Sequence, residues 1–281
     1  MLHTLNEVEV LIDNTVSIPT VPTTLNEINR IINDPDGSAM EAADVVAKDP
    51  AIATKVLRLA NSSLYSLRVD VSDVKHAVSI LGLRILRNLV VQATILEQFK
   101  VAQKDRTSFD PEWLWDHSVK TASAARMLVE ECEVPGVDAE AAYTAGLIHD
   151  VGKILLLQDP TERFLQAVEK SATTGEPLHS CEMEIYGFHH GHAGALLAMR
   201  WKLSTLLAHV IECHHDPLAE EEYLKVGCLL HCANGLAHAA ATGNGGYVGD
   251  SLDEEILGTL GVDPTRVPEL IQQVEQAELI G

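Results

Sequence analysis

Eleven of the thirteen histidines lie between residues 117 and 238. The sharpest arrangement among them is Gly146-Leu-Ile-His149-Asp150-Val-Gly152-Lys153. On a helix, Lys153 follows His149 by four residues and Asp150 by three, so one face can carry an imidazole, a carboxylate and an ammonium. An imidazole beside a carboxylate suits a divalent metal, and Lys153 could meet an anionic oxygen bound to it. The simpler alternative is a buried histidine beside a paired aspartate, with Lys153 in a salt bridge to Asp150.

Other histidines extend the pattern. His117 lies one turn beyond Trp113 on a long helix, and His190 precedes Gly194 by four residues. His214-His215 ends an apolar helix just before Asp216-Pro217. Four separate helices would each deliver one or two ligand-type residues, which is how metal sites in helical bundles are assembled. An imidazole-rich set with one carboxylate suits iron, manganese, zinc, nickel or cobalt, as one ion or two. A hydrogen-bonded polar core is the competing reading. His189 and His192 flank His190 and are weaker candidates. Cys228 and Cys232, at helical spacing, read as small packed hydrophobes, and His209, His231 and His238 as surface or core histidines.

The elements that must position these residues are helices. Capping acids recur before prolines, at Asp49-Pro50 and Asp110-Pro111, and Ser38 with Glu41 has the spacing of a capping box. Asp73 and Gly82 bracket a helix over 74–81. The apolar spacing predicts helices near 23–33, 51–60, 83–99, 110–131, 138–157, 160–173, 190–200, 204–215, 221–241, 252–260 and 265–279. No segment alternates with period two. The fold class is therefore all-α, a multi-helix bundle with an additional N-terminal helical subdomain. The polar stretch 100–109 places a boundary between residues 1–105 and 106–281. Asn61-Ser62-Ser63 reads as a structural turn ending a helix.

The 281 residues carry 46% apolar side chains and a formal net charge of −21. Such a chain can bury a full core, and its acidity argues against a duplex nucleic-acid surface, which needs clustered Lys and Arg. Five cysteines without a CxxC pair fit a reducing compartment. No apolar run approaches a membrane span, and the N-terminus lacks a basic and then apolar leader, so the expectation is a cytoplasmic protein without membrane association.

The order His117, His149-Asp150 with Lys153, His190, His214-His215 resembles the H…HD…H…HH order of the HD phosphohydrolase superfamily. The segment Asp49-Pro-Ala-Ile-Ala-Thr-Lys-Val-Leu-Arg-Leu-Ala-Asn-Ser-Ser63, then Ala77–Arg84, then Ile18–Pro22 and Gly187–His190, resembles the HDOD (HD-related output domain) family within it. The likeness spans roughly residues 16–240. It implies an HD-type bundle in which His117, His149, Asp150, His190, His214 and His215 hold metal, with Asp150 and Lys153 as the catalytic candidates. The aligned position of the superfamily's last aspartate looks like Asn234, a weaker ligand or an orienting donor. HD-GYP phosphodiesterases carry a glutamate where this chain has Trp113, and a Gly-Tyr-Pro loop that is absent after His215, so cyclic-dinucleotide hydrolysis by that route is not expected. Two functions follow: a metal-binding regulatory module of bacterial signalling, with a largely retained site and residual hydrolase activity, or a fully active metal-dependent phosphohydrolase. The implied partners are a signalling protein and a phosphate-containing small molecule.

Overall fold

The computed structural model describes residues 8, 23–61, 71–102, 109–159, 162–219, 221–241 and 247–276. Among these there is no β-strand, and the one extended pairing is an isolated parallel bridge between Pro177 and Val248. None of these helices is long and apolar enough to cross a membrane. The chain divides into two units, Thr20–Gln98 and a larger one that includes Phe99–Leu279.

In the smaller unit, α1 (Thr23–Asn33), α2 (Ala39–Ala47), α3 (Pro50–Ala60) and α4 (Val74–Leu81) precede α5, which runs over Leu83–Ala102 and continues past the unit's end. The expected caps are present. Ser38 Oγ accepts from Glu41 N, Asp49 Oδ1 from Ile52 N and Asp73 Oδ1 from His76 N. Leu25, Ile28, Ala42, Val46, Val56 and Leu59 are buried in its core. Asn61 closes α3 as a structural residue: its side chain donates to Val71 O and accepts from Val71 N, at 2.8 and 2.7 Å. Ser62, Ser63 and the Ile18–Pro22 segment lie outside the described residues, as does most of the stretch 100–109.

The larger unit contains α6 (Pro111–Glu131), α7 (Ala139–Ile148), α8 (Val151–Leu157), α9 (Arg163–Thr174), α10 (Leu178–Tyr186), α11 (His190–Arg200), α12 (Thr205–Cys213), α13 (Leu224–Ala239), α14 (Glu254–Leu260) and α15 (Val267–Glu275). Three differences from the sequence reading matter. The helix expected over 138–157 is two helices broken at His149-Asp150, and an unexpected helix, α10, occupies 178–186. Pro177 before it and Gly187 after it, at φ 79°, are the start and stop signals that were there to be read. The helices expected over 204–215 and 221–241 are shorter, so His214-His215 stands just past the end of α12.

Small residues let the site helices meet closely. A Cβ at Gly152 would lie 1.9 Å from His190 O, so α8 and the start of α11 approach with no side chain between them. Cys228 and Cys232 are buried free thiols whose pKa values burial raises to about 11 and about 12, as expected of packed hydrophobes.

A buried histidine and aspartate cluster as candidate metal centre

Most of the expected ligands are presented from a helix end or a break, while His117 lies within α6 and Asn234 within α13. His117 sits in the second turn of α6, His149 caps the end of α7 and Asp150 begins α8. His190 opens α11, and His214 caps α12 with His215 next to it. A helix end is where a side chain can turn inward without the next turn in its way, which explains the interruption at His149-Asp150. His117, His149, Asp150, His190 and His214 are buried, His149, Asp150 and His214 with no exposed surface, and His215 is intermediate.

The ring nitrogens are set in one sense. His149 Nδ1 lies 2.7 Å from Gly146 O, and His214 Nδ1 lies 2.7 Å from Ile211 O. Carbonyls only accept, so Nδ1 carries a proton in both rings, and in the neutral imidazole Nε2 keeps its lone pair. His190 Nδ1 meets Glu182 Oε2 at 2.7 Å, and His215 Nδ1 meets Asp250 Oδ2 at 2.6 Å. The Nε2 atoms of His149, His190 and His214 therefore point inward around Asp150, and that of His215 faces His190 at 2.8 Å. His190 Nε2 is 3.0 Å from Asp150 Oδ1, His149 Nε2 is 3.3 Å from Oδ2, and His214 Nε2 is 3.9 Å from Oδ1. His117 Nε2 is 3.3 Å from His149 Nε2 and 3.6 Å from Asp150 Oδ2.

These residues fit a divalent metal. Four donors bound at 2.0–2.1 Å in a tetrahedron lie about 3.3 Å apart. The His117, His149 and Asp150 donors are separated by 3.3–3.6 Å. His190, His214 and His215 form a second convergent group, so both members of the adjacent pair turn inward. His214 Nε2 is buried without a hydrogen-bond partner among the described residues, an acceptor facing other acceptors. With the imidazoles neutral, the buried carboxylates of Asp150, Glu182 and Asp250 exceed the single ammonium of Lys153 by two charges. A divalent cation would balance them.

Burial holds the His117, His214 and His215 pKa values well below 6.5, with neighbouring histidines adding to it for each. The pKa of Asp150 is also held low: burial works against this, and His149 and Lys153 outweigh it. These protonation states, neutral imidazole and ionised carboxylate, are the ones that bind metal.

Of the two roles expected for Lys153, the salt bridge is present. Its Nζ is 2.6 Å from Asp150 Oδ2 and donates to the Tyr247 hydroxyl at 3.1 Å. Asn234 Nδ2 donates to Asp250 Oδ2 at 3.1 Å, and its Oδ1 is buried without a partner. Trp113 stacks on His117 with the rings 3° from parallel. His189 and His192 are accounted for as a capping box: His189 accepts from Gly191 N, and His192 accepts from His189 N. His238 packs on His117, ring centroids 4.2 Å apart, with its pKa lowered to about 4 by burial first and Lys153 second.

Three contributors were not singled out from the sequence. Glu182 is fully buried on α10 and binds both Nδ1 and the backbone N of His190. Asp250 and Tyr247 lie on a connecting segment with no periodicity to reveal them. A narrow cavity of about 10 Å³, room for about one water or ion, is lined by Lys153, His190, His215, Asn234, Tyr247 and Asp250, among others.

The HDOD domain family profile matches residues 18–217, about seven-tenths of the chain. The chain belongs to the HDOD domain family. An HDOD domain protein of unknown function from Geobacter sulfurreducens has the same architecture, with 25% identity, a TM-score of 0.76 and 99% of each chain covered. A protein described as a candidate phosphohydrolase, from Shewanella amazonensis SB2B, superposes with a TM-score of 0.70 at 23% identity, covering 96% of this chain and 92% of that one. An uncharacterised protein of Treponema pallidum (strain Nichols) is 28% identical over 212 residues, or 75% of this chain. The HDOD chain spans only 40% of that relative's length.

Proposed function

We propose that this HDOD chain is a metal-binding regulatory protein with a largely retained HD-type site and residual phosphohydrolase activity. His117, His149, Asp150, His190, His214 and His215 would hold one or two divalent transition ions, with Asn234 Oδ1 as a weaker donor. The observation that carries the reading is the inward convergence of Nε2 lone pairs on Asp150, their Nδ1 protons fixed from outside. The small cavity supports a regulatory more than a catalytic role, since it accommodates an ion or a water but not a phosphoester. A bound metal would supply charge stabilisation and an activated oxygen nucleophile. The chain's own part is to orient the donors and keep Asp150 ionised through Lys153. The partners expected on this reading are a signalling protein and a phosphate-containing small molecule, in the cytoplasm.

The full ligand set favours a second reading, a working metal-dependent phosphohydrolase on a phosphomonoester or phosphodiester. That reading requires the Tyr247–Asp250 segment to move aside, because it encloses the site.

The deciding experiment is elemental analysis of protein purified without chelator, beside His149→Ala and Asp150→Ala. One or two equivalents in the wild type, lost in both variants, supports the metal reading. A phosphoester screen across iron, manganese, zinc, nickel and cobalt then separates the two functions by whether multiple turnover occurs. No metal in the wild type, even after reconstitution, would sink both.

A further inference from the structure

Asp250 lies outside every helix of the larger unit, yet three side chains converge on its carboxylate. His215 Nδ1 is 2.6 Å from Oδ2, Asn234 Nδ2 donates to Oδ2 at 3.1 Å, and His179 Nδ1 is 3.3 Å from Oδ1. The partners come from the end of α12, from α13 and from the start of α10. The side chain is 6% exposed.

The segment carrying it is fixed independently of any ion. Tyr247 shares a hydrogen bond with Lys153, Val248 N donates to Ser171 Oγ at 3.0 Å, and Val248 O accepts from Leu178 N at 3.0 Å. At Gly249 the backbone passes so near the half-buried His238 ring that a Cβ would fall 2.3 Å from Nε2. Residues 247–250 thus form a strap seated against the histidine cluster.

We propose that Asp250 is a positioning residue that sets two donor atoms for the metal reading above. A neutral imidazole has one ring proton, and a carboxylate can only accept. Asp250 therefore keeps that proton on His215 Nδ1 and leaves the Nε2 lone pair facing His190 and the cavity. By accepting a hydrogen bond from Asn234 Nδ2, the same carboxylate turns Asn234 Oδ1, which has no partner among the described residues, away from itself. Without Asp250, the His215 proton is free to move to Nε2 and block that donor. The use of the geometry rests on the metal reading, but the geometry itself does not.

The test uses the full chain with ¹⁵N-labelled histidine, reading ring tautomers from long-range ¹H–¹⁵N spectra, and Zn²⁺ affinity by competition with a chromophoric chelator. In the wild type His215 is expected as the Nδ1–H tautomer. Asp250→Ala should shift it toward Nε2–H and weaken Zn²⁺ by about 10–100-fold, the usual loss for an orienting partner. Asp250→Glu should recover part of both. Gly249→Ala keeps every donor but forces the strap off His238, so it should weaken Zn²⁺ in the same direction. Should Asp250→Ala fail to fold, Asp250→Asn carries the same readouts, with a smaller loss expected. A folded Asp250 variant with unchanged His215 tautomer and unchanged Zn²⁺ affinity would overturn the inference. If the wild type bound no Zn²⁺, the metal reading would fall, and the tautomer alone would still judge Asp250.

Discussion

His190 Nε2 and His215 Nε2 face each other across 2.8 Å, while the Nδ1 atoms of both rings are engaged by carboxylates, Glu182 and Asp250. Two lone pairs at that distance repel, so something positive must lie between them. A proton on His190 Nε2 can serve, donating to His215 Nε2 or to Asp150 Oδ1, which is 3.0 Å away. The pKa of His190 is raised: burial alone would lower it, and the charge of Glu182 together with Asp150 outweighs burial. On the metal reading a divalent cation would displace that proton, so metal and proton would compete for the same nitrogens.

Glu182 is the more direct of the two carboxylates to test, because among the described residues its hydrogen bonds go to His190 alone. Its Oε2 accepts from both the ring and the backbone of that residue, at 2.7 and 2.8 Å. Glu182→Gln keeps the shape and removes the charge. Metal affinity should fall about 10–100-fold, as for other orienting partners of ligating histidines. Chelator competition measures it, and an unchanged affinity would show that His190 is not a ligand.

Acid should unfold the metal-free protein earlier than an ordinary helical bundle. The pKa values of His117, His214 and His215 lie well below 6.5, chiefly through burial, so between those values and 6.5 the unfolded chain binds more protons than the native one. Native stability then falls as pH drops below about 6.5. Asp150 and Asp250 act in the same direction at lower pH, because their pKa values lie well below 3.8 and their contribution is lost as pH falls through them. His190 opposes the trend, since its raised pKa favours the native state below 6.5 and loses that effect as pH rises. His189, His192 and His238 are lowered as well, so six groups against one decide the sign. Urea midpoints in the presence of chelator should decline steadily from about pH 6.5 to about pH 5, and a flat profile would contradict the assigned protonation states.

How much of this was legible in the sequence depends on how local each signal is. Caps at Ser38, Asp49, Asp73 and Asp110 depend on residues two or three apart, and all four formed as spaced. His190 stood out from His189 and His192 only by its distance to Gly194, whereas the structure separates them by the capping box. The break at His149-Asp150 was hidden because the residues on both sides are apolar and helix-compatible; burial of the pair, not propensity, ends α7. Asp250 and Tyr247 were unreadable for a different reason. Their partners His215 and Lys153 lie 35 and 94 residues away, and no periodicity links an irregular segment to a distant helix.

In the smaller unit, Asn61 offers a test unconnected with metal. Its amide satisfies both the N–H and the C=O of Val71, bridging ten residues of chain. Asn61→Ala would leave two backbone groups of a buried residue without partners, each costing about 1–3 kcal/mol less whatever water recovers. A loss of about 1–3 kcal/mol is expected from chemical denaturation, with metal content unchanged. A fall in metal content would show that the two units are energetically coupled.

Gly152 tests whether the histidines are held by packing or only by one another. A methyl group there would overlap His190 O at 1.9 Å and crowd Gly194 N at 2.8 Å, and both are backbone atoms that cannot swing aside. Gly152→Ala therefore has to push α8 away from the start of α11. Overpacking of this kind costs typically about 1–3 kcal/mol. The displacement also separates Asp150, on the α8 side, from His190, on the α11 side, so their 3.0 Å contact should lengthen. The variant is expected to lose stability and metal affinity together, although the substituted residue offers no ligand atom. Stability falling alone would mean that the donors re-form around the ion after the helices part, and that the ion, not the close helix contact, organises the cluster.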